Sequence, residues 1–313
     1  MLARRLQAGE LVAVPTETVY GLAGNALDAS ACEKIFQAKG RPHHDPLIVH
    51  LYSWRELSRV CEPNAAALEL ARRFWPGPLT LVLPKRACIP DIVSAGQPSV
   101  AVRVPSHPLF RRLLKQTGLP LAAPSANPFG YISPTTARHV RDGLGKKIVH
   151  ILDGGAARIG VESTIVDLRD PSRPRVLRPG AVTASDIARA LGRPIVERAQ
   201  PKPAGKGSEG GAIAPGLLAR HYSPRTRVVL HRQIPAEVPP REARVLLRRP
   251  AGASPRNTFW LDARGSLRGA AHRLFATLRA LDDGRFATIH VELAPEEGLG
   301  IAINDRLRRA AAR

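Results

Sequence analysis

Four short segments carry polar residues whose types and spacing could do chemistry. The first is Pro15-Thr16-Glu17-Thr18-Val19-Tyr20-Gly21-Leu22, with two hydroxyls, a carboxylate and a phenol ahead of a glycine. It could also be a plain turn with hydroxyl caps. The second is Lys39-Gly40-Arg41-Pro42, followed by Asp45-Pro46-Leu47. A lysine and an arginine two residues apart can converge on one polyphosphate, a point charge beside a planar fork. They could equally offset the dipole of a helix C-terminus. The third is Val100-Ala101-Val102-Arg103-Val104-Pro105, where strand alternation sets Arg103 on the face opposite the three valines. An arginine in that setting pairs with a carboxylate, from the protein itself or from a ligand. The fourth is Ala123-Pro124-Ser125-Ala126-Asn127-Pro128. Its prolines fix the backbone, and Ser125 and Asn127 offer small donors and acceptors suited to a purine or ribose, or to a capped turn. Val161-Glu162-Ser163-Thr164-Ile165-Val166 and Leu177-Arg178-Pro179-Gly180 add a hydroxyl pair and another arginine.

The elements that must position these segments are short and mixed. Strands are expected at Leu11 to Pro15, Leu47 to Leu51, Thr80 to Leu83, Val100 to Val104, Leu119 to Ala123 and Ser163 to Asp167. Helices are expected from Ser30, with a capping box to Glu33, through Ala38, and at Asn64 to Trp75, Pro108 to Thr117, Thr136 to Asp142 and Ser185 to Leu191. Continuously apolar strands mixed with helices argue for an α/β or α+β sheet covered by helices. Residues 199–211 change to Pro, Gly, Lys and Ser and read as a linker. Strands then follow at Arg227 to Leu230, Arg244 to Leu247, Thr258 to Leu261 and Thr288 to Leu293, with helices at Ser266 to Leu281 and Ile303 to Ala311. That alternation suggests a second, small α/β domain of the doubly wound kind.

Composition narrows the class. The chain has 313 residues, two domains by length, and is 44% hydrophobic. No apolar run is long enough to cross a membrane. Three cysteines, Cys32, Cys61 and Cys88, fit no disulfide framework, and a cytoplasmic setting is expected. The net charge of +21 points to a polyanionic partner, although only eight basic residues are lysine and compositional drift toward arginine accounts for the excess equally well. There is no P-loop, no G-x-G-x-x-G after a strand, no H-E-x-x-H and no G-x-S-x-G, and Cys32 sits in a helix as a packed thiol rather than a nucleophile.

In order, the strings PTETVYGL, KGRP with DPLIVH, VAVRVP with HP, APSAN, VESTIVD and VLRPG resemble the YrdC-like threonylcarbamoyl-AMP synthases from Leu11 to Gly180. Pro215-Gly216, His221-Tyr222-Ser223-Pro224, Leu299-Gly300-Ile301-Ala302 and Asn304-Asp305-Arg306-Leu307 resemble the long, two-domain form. The resemblance implies a twisted mixed sheet with a basic concave cavity over residues 1–198, a linker or lid at 199–225 and a small Rossmann-like domain at 226–313. It implies that L-threonine, bicarbonate and ATP become threonylcarbamoyl-AMP and pyrophosphate, with magnesium on the ATP and none held by the protein. The product would feed threonylcarbamoyladenosine formation on tRNAs reading ANN codons, so tRNA and threonylcarbamoyl-transferase enzymes are the implied partners. The nucleophile would belong to the substrate, which accounts for the missing nucleophile motifs.

Carried over residue by residue, the resemblance assigns Thr18, His50, Arg103, Ser163 and the backbone at Ala123 to threonine. It assigns Lys39 and Arg41 to the triphosphate, where they would stabilise phosphate charge. Asp45, Ser125, Asn127, Ser133, Arg178 and Tyr222 are assigned to ATP, with Tyr222 closing over it. Two features depart from the family pattern: Ala23 stands between Gly21-Leu22 and Gly24, and the linker is rich in Gly and Lys from Lys202 to Gly211. The competing readings are a non-catalytic module for double-stranded RNA or tRNA, a carbamoyl phosphate enzyme and a regulatory nucleotide-binding protein. Aromatic content of 4% leaves few stacking platforms for the first. No Cys-x-x-Cys accompanies the second.

Overall fold

The computed structural model describes residues 1–197, 212–216 and 221–312. The expected linker, 199–211, and residues 217–220 lie outside the described residues. Ten strands form one mixed sheet in the order Val196–Glu197, Arg175–Arg178, Thr164–Asp167, Leu79–Pro84, Ser99–Arg103, Ile48–His50, Leu121–Ala122, Gly21–Asn25, Val12–Val14 and His150–Ile151. Parallel and antiparallel pairs alternate through its middle: Ile48–His50 runs parallel to Ser99–Arg103 and antiparallel to Leu121–Ala122.

Alternation along the strands separates two environments. Val49, Leu81, Leu83, Val100, Val102, Val166 and Val176 join the main core with the helices Ala29–Lys39 and Ala65–Phe74. Ile48, Val82, Ala101, Ile165 and Leu177 form a small cluster on the other face, and there they meet Ala214. The polar residues His50, Thr80 and Arg103 share that second face because each is two residues from one of its apolar members. One face of the sheet is thus packed and the other is left for a site.

Several elements differ from expectation. Gly21–Asn25 is a strand, although its two glycines are poor strand formers; pairing on both sides, to Val12–Val14 and Leu121–Ala122, decides it. The short strands His150–Ile151, Arg175–Arg178 and Val196–Glu197 and the helix Leu2–Gln7 were also not foreseen. The helix Ala29–Lys39 is capped by Asp28, whose carboxylate accepts from the backbone of Ser30 and Ala31, and no capping box at Ser30 forms. Ala23 keeps a negative φ, so its side chain fits where the family pattern has glycine.

The C-terminal domain has four parallel strands in the order Arg227–His231, Thr288–Glu292, Glu242–Arg248, Thr258–Asp262. The helices Leu267–Leu281 and Leu299–Ala311 pack together on one face, where Ala243, Val245, Leu261, Ile289 and Val291 are buried. The same cluster takes in Val19, Ile132, Val161 and Tyr222, so the helices also form the seam with the large domain. Gly160, at φ +86, lies so close to the first of these helices that a Cβ would sit 2.3 Å from the Ala271 carbonyl. Only glycine satisfies both conditions.

Candidate active site

The concave face holds a cavity of about 50 Å³, room for a few water molecules. One end is built around Arg103. Parallel pairing sets it beside His50. Its Nη2 forms an ion pair with Glu17 Oε1 at 2.7 Å, its Nη1 donates to Thr18 Oγ1 at 3.0 Å and its Nε to the Gly77 carbonyl at 3.2 Å. A guanidinium has five N–H groups, so donors remain for a ligand. Thr16 Oγ1 accepts from the backbone of Thr18 and Val19 and donates to the Val19 carbonyl, which fixes the loop that presents Thr18. Burial acts against the Glu17 charge, but Arg103 outweighs it and holds the carboxyl below its ordinary value. Burial, with Arg103 adding to it, pushes His50 down to about 3, so its ring is neutral near pH 7. On the strand antiparallel to that of Arg103, Thr80 Oγ1 is hydrogen-bonded to Ser163 Oγ at 2.8 Å.

The other end is cationic. Arg178 donates from Nε to the Ser163 carbonyl, from Nη2 to Ser163 Oγ and from Nη1 to the Pro215 carbonyl. None of these acceptors is a carboxylate. Arg41 and Asp45 form a buried pair at 2.9 Å. Burial raises the Asp45 carboxyl above its ordinary value, against the opposing pull of Arg41. The Lys39 ammonium donates to the carbonyls of Ser125 and Asn127 at 2.5 and 2.6 Å. Burial, and then the charge of Arg41, push it well below its ordinary value.

Residues 212–216 and 221–222 close the cavity. Ala212 N donates to the His44 carbonyl at 2.8 Å, Ala214 is fully buried against the sheet, and Pro215 and Gly216 line the cavity. His221 and Tyr222 stack edge-to-face with ring centroids 4.1 Å apart. Tyr222 is buried at φ +62, and its hydroxyl has no hydrogen-bond partner among the described residues. A non-glycine residue reaches that backbone conformation only under external constraint.

Residues 4–180 match the family model described as telomere recombination, and residues 182–312 match threonylcarbamoyl-AMP synthase, C-terminal domain. The threonylcarbamoyl-AMP synthase of Pyrococcus abyssi is 40% identical, over 98% of this chain and 92% of its own length. The chain belongs to the threonylcarbamoyl-AMP synthase family. The crystal structure of P. abyssi Sua5 complexed with L-threonine superposes with a TM-score of 0.86 at 38% identity, covering 99% of this chain and 93% of that one. A form of that protein with a histidine and the tyrosine after it changed to alanine matches equally well, at a TM-score of 0.86 and 37% identity, over 99% of this chain and 91% of that one.

Nine of the residues that the family pattern singled out line this synthase-family cavity: Thr18, Arg41, His50, Arg103, Ala123, Ser125, Ser163, Arg178 and Tyr222. Lys39, Asp45, Asn127 and Ser133 stand behind its wall. Asn127 Nδ2 donates to the carbonyls of Pro128 and Tyr131, and Ser133 Oγ donates to Glu162 Oε1 at 2.5 Å. Glu162 and His221 also line the cavity, and the sequence reading assigned them no role. Nor did it foresee the pairing of Glu17 with Arg103 or of Glu162 with Arg306, a residue 144 positions away. The first was signalled by a carboxylate beside Thr18; the second had no local signal.

Among the described residues no three His, Cys, Asp or Glu side chains could hold a metal ion together. The carboxylates of Glu17, Asp45 and Glu162 are each paired with an arginine.

Proposed function

We propose that this chain condenses L-threonine, bicarbonate and ATP into threonylcarbamoyl-AMP, as a nucleotidyltransferase. The observation that carries the reading is the cavity itself, with a neutral ion-paired end at Arg103 and a cationic end at Arg178. The threonine amine and bicarbonate give a carbamate and water. A carbamate oxygen then attacks the α-phosphorus, and pyrophosphate leaves. The work left to the protein is holding two anions in line and stabilising charge on phosphate.

Arg103, fixed by Glu17, would take the threonine carboxylate on its remaining N–H groups. Thr18, Ser163 and the Ala123 backbone would orient the rest, with His50 as a neutral wall. Support comes from their lining one cavity, with Ser163 between Thr80 and Arg178, and from the L-threonine bound to the P. abyssi relative. Arg178, Arg41 and Lys39 would hold the phosphates, and Ser125 the nucleoside. Asn127 and Ser133 would act from behind the wall, and Asp45 through Arg41. A triphosphate would draw Lys39 off its two carbonyls and restore its charge.

Pro215, Gly216 and Tyr222 line the cavity beside Arg178, and they would move to admit ATP and then close over it. The His-Tyr change in the second P. abyssi structure bears on the same kind of pair. Magnesium does not fit the chain's own carboxylates and would arrive on the nucleotide's phosphates. The product is a reactive mixed anhydride that an amine must consume. Hence tRNA adenosine and a threonylcarbamoyl-transferase are the partners, and the cytoplasm is the compartment. No helix among the described residues is long and apolar enough to cross a membrane.

Pyrophosphate release from ATP, with threonine and bicarbonate each omitted in turn, tests the reading. Release should need both, and mass spectrometry should find the carbamoyl-adenylate. Release without threonine, or none at all, rejects it.

A further inference from the structure

Arg306 stands on the helix Leu299–Ala311 of the small domain and is 1% exposed. Most of its partners belong to the large domain. Its Nε donates to Glu162 Oε2 at 2.8 Å, its Nη2 to the Glu162 carbonyl at 3.4 Å and its Nη1 to the Pro179 carbonyl at 2.9 Å. Within its own helix, Nη1 also meets Asp305 Oδ2 at 2.8 Å. The guanidinium lies 5.5 Å from the centre of the Tyr222 ring. Glu162 and Tyr222 line the cavity, and Pro179 follows Arg178 in the chain. One side chain of the C-terminal domain therefore meets two lining residues and the residue that follows a third. With Ser133 on its other oxygen, the Glu162 carboxylate is bonded at both ends.

The consequence rests on the synthase reading above. Threonine carboxylate, carbamate and triphosphate are all anions. A buried carboxylate in the wall repels each of them unless a cation compensates it, and removing the cation from a buried pair leaves that charge exposed to the substrates. We propose that Arg306 is a positioning residue for the synthase reaction, neutralising Glu162 and holding the wall that carries Arg178 and Tyr222. The C-terminal domain thereby completes the site with a charge as well as covering it. A domain-seam ion pair with no such role would change stability alone.

The test is pyrophosphate release with the adenylate checked by mass, on the full chain, for wild type, R306M, E162Q and E162Q/R306M, with the melting temperature of each. R306M should raise the Michaelis constants for threonine and ATP tenfold or more at pH 8. E162Q/R306M should return both constants to within threefold of E162Q. Lowered melting temperature with wild-type constants overturns the proposal, as does an equal deficit in R306M and E162Q/R306M. If R306M does not fold, R306Q is measured in its place: a tenfold rise in both constants that E162Q/R306Q removes supports the proposal, and wild-type constants overturn it. An inactive wild type rejects the synthase reading itself, a result distinct from any of these.

Discussion

Arg103 shows how one residue can be correctly singled out while its surroundings stay hidden. Alternation along its strand placed it opposite the valines, and the structure gives it Glu17 at 2.7 Å. The pair is almost wholly buried, 4% and 2% exposed. Breaking a buried pair from one side costs about 3–5 kcal/mol because the other charge is left behind. R103A should therefore lose stability of that order and raise the Michaelis constant for threonine at least tenfold. Adding E17Q should recover stability, because no carboxylate remains unpaired, and should leave the threonine defect in place. A double variant with normal threonine use would remove Arg103 from the threonine site. The side chains themselves were legible in the motif; the partner was not, since Glu17 and Arg103 are brought together only by a loop folding onto a strand.

At the scale of elements, the closing segment shows what local pattern does and does not encode. Pro215-Gly216 and His221-Tyr222 are recognisable as strings, but their place on the concave face comes from contacts with His44, Arg178 and the apolar cluster around Ala214. Gly216 sits at φ +72, and a Cβ there would lie 2.9 Å from both Arg178 Nη1 and Tyr222 Oη. A left-handed alanine costs about 1–2 kcal/mol, and the crowding falls on flexible side-chain ends. G216A should raise the Michaelis constant for ATP about tenfold, a change of about 1.4 kcal/mol, and lower the melting temperature by only a few degrees. Unchanged ATP kinetics would show that the segment does not close over the nucleotide. The strand Gly21–Asn25 escaped the sequence reading for a related reason. Its glycines argue against a strand, and its pairing on both sides overrides them.

For the whole molecule, burying so many charged and titratable groups around one cavity has a consequence in acid. His50 is pushed down to about 3 by burial and then Arg103, and His221 well below its ordinary value by burial and then Arg41 and Lys39. Both stay neutral in the folded chain at pH values where the unfolded chain protonates them, starting near 6.5. The unfolded state then binds more protons, so stability is greatest above pH 6.5 and falls below it, by about 1.4 kcal/mol per pH unit for each histidine. The melting temperature should drop steadily from pH 7 to pH 5; a flat profile would contradict the burial of these rings. The sequence by itself determined the family and the two α/β units, and it singled out nine residues that line one cavity, because strand periodicity and six ordered motifs are local properties. Tertiary structure alone decided that Glu17 pairs with Arg103, that Lys39, Asn127 and Ser133 stand behind the wall, and that Arg306 of one domain pairs with Glu162 in the cavity wall of the other. Buried charges demand partners wherever the chain can supply them: Asp45 lies four residues from Arg41, but Glu17 and Glu162 lie 86 and 144 residues from Arg103 and Arg306.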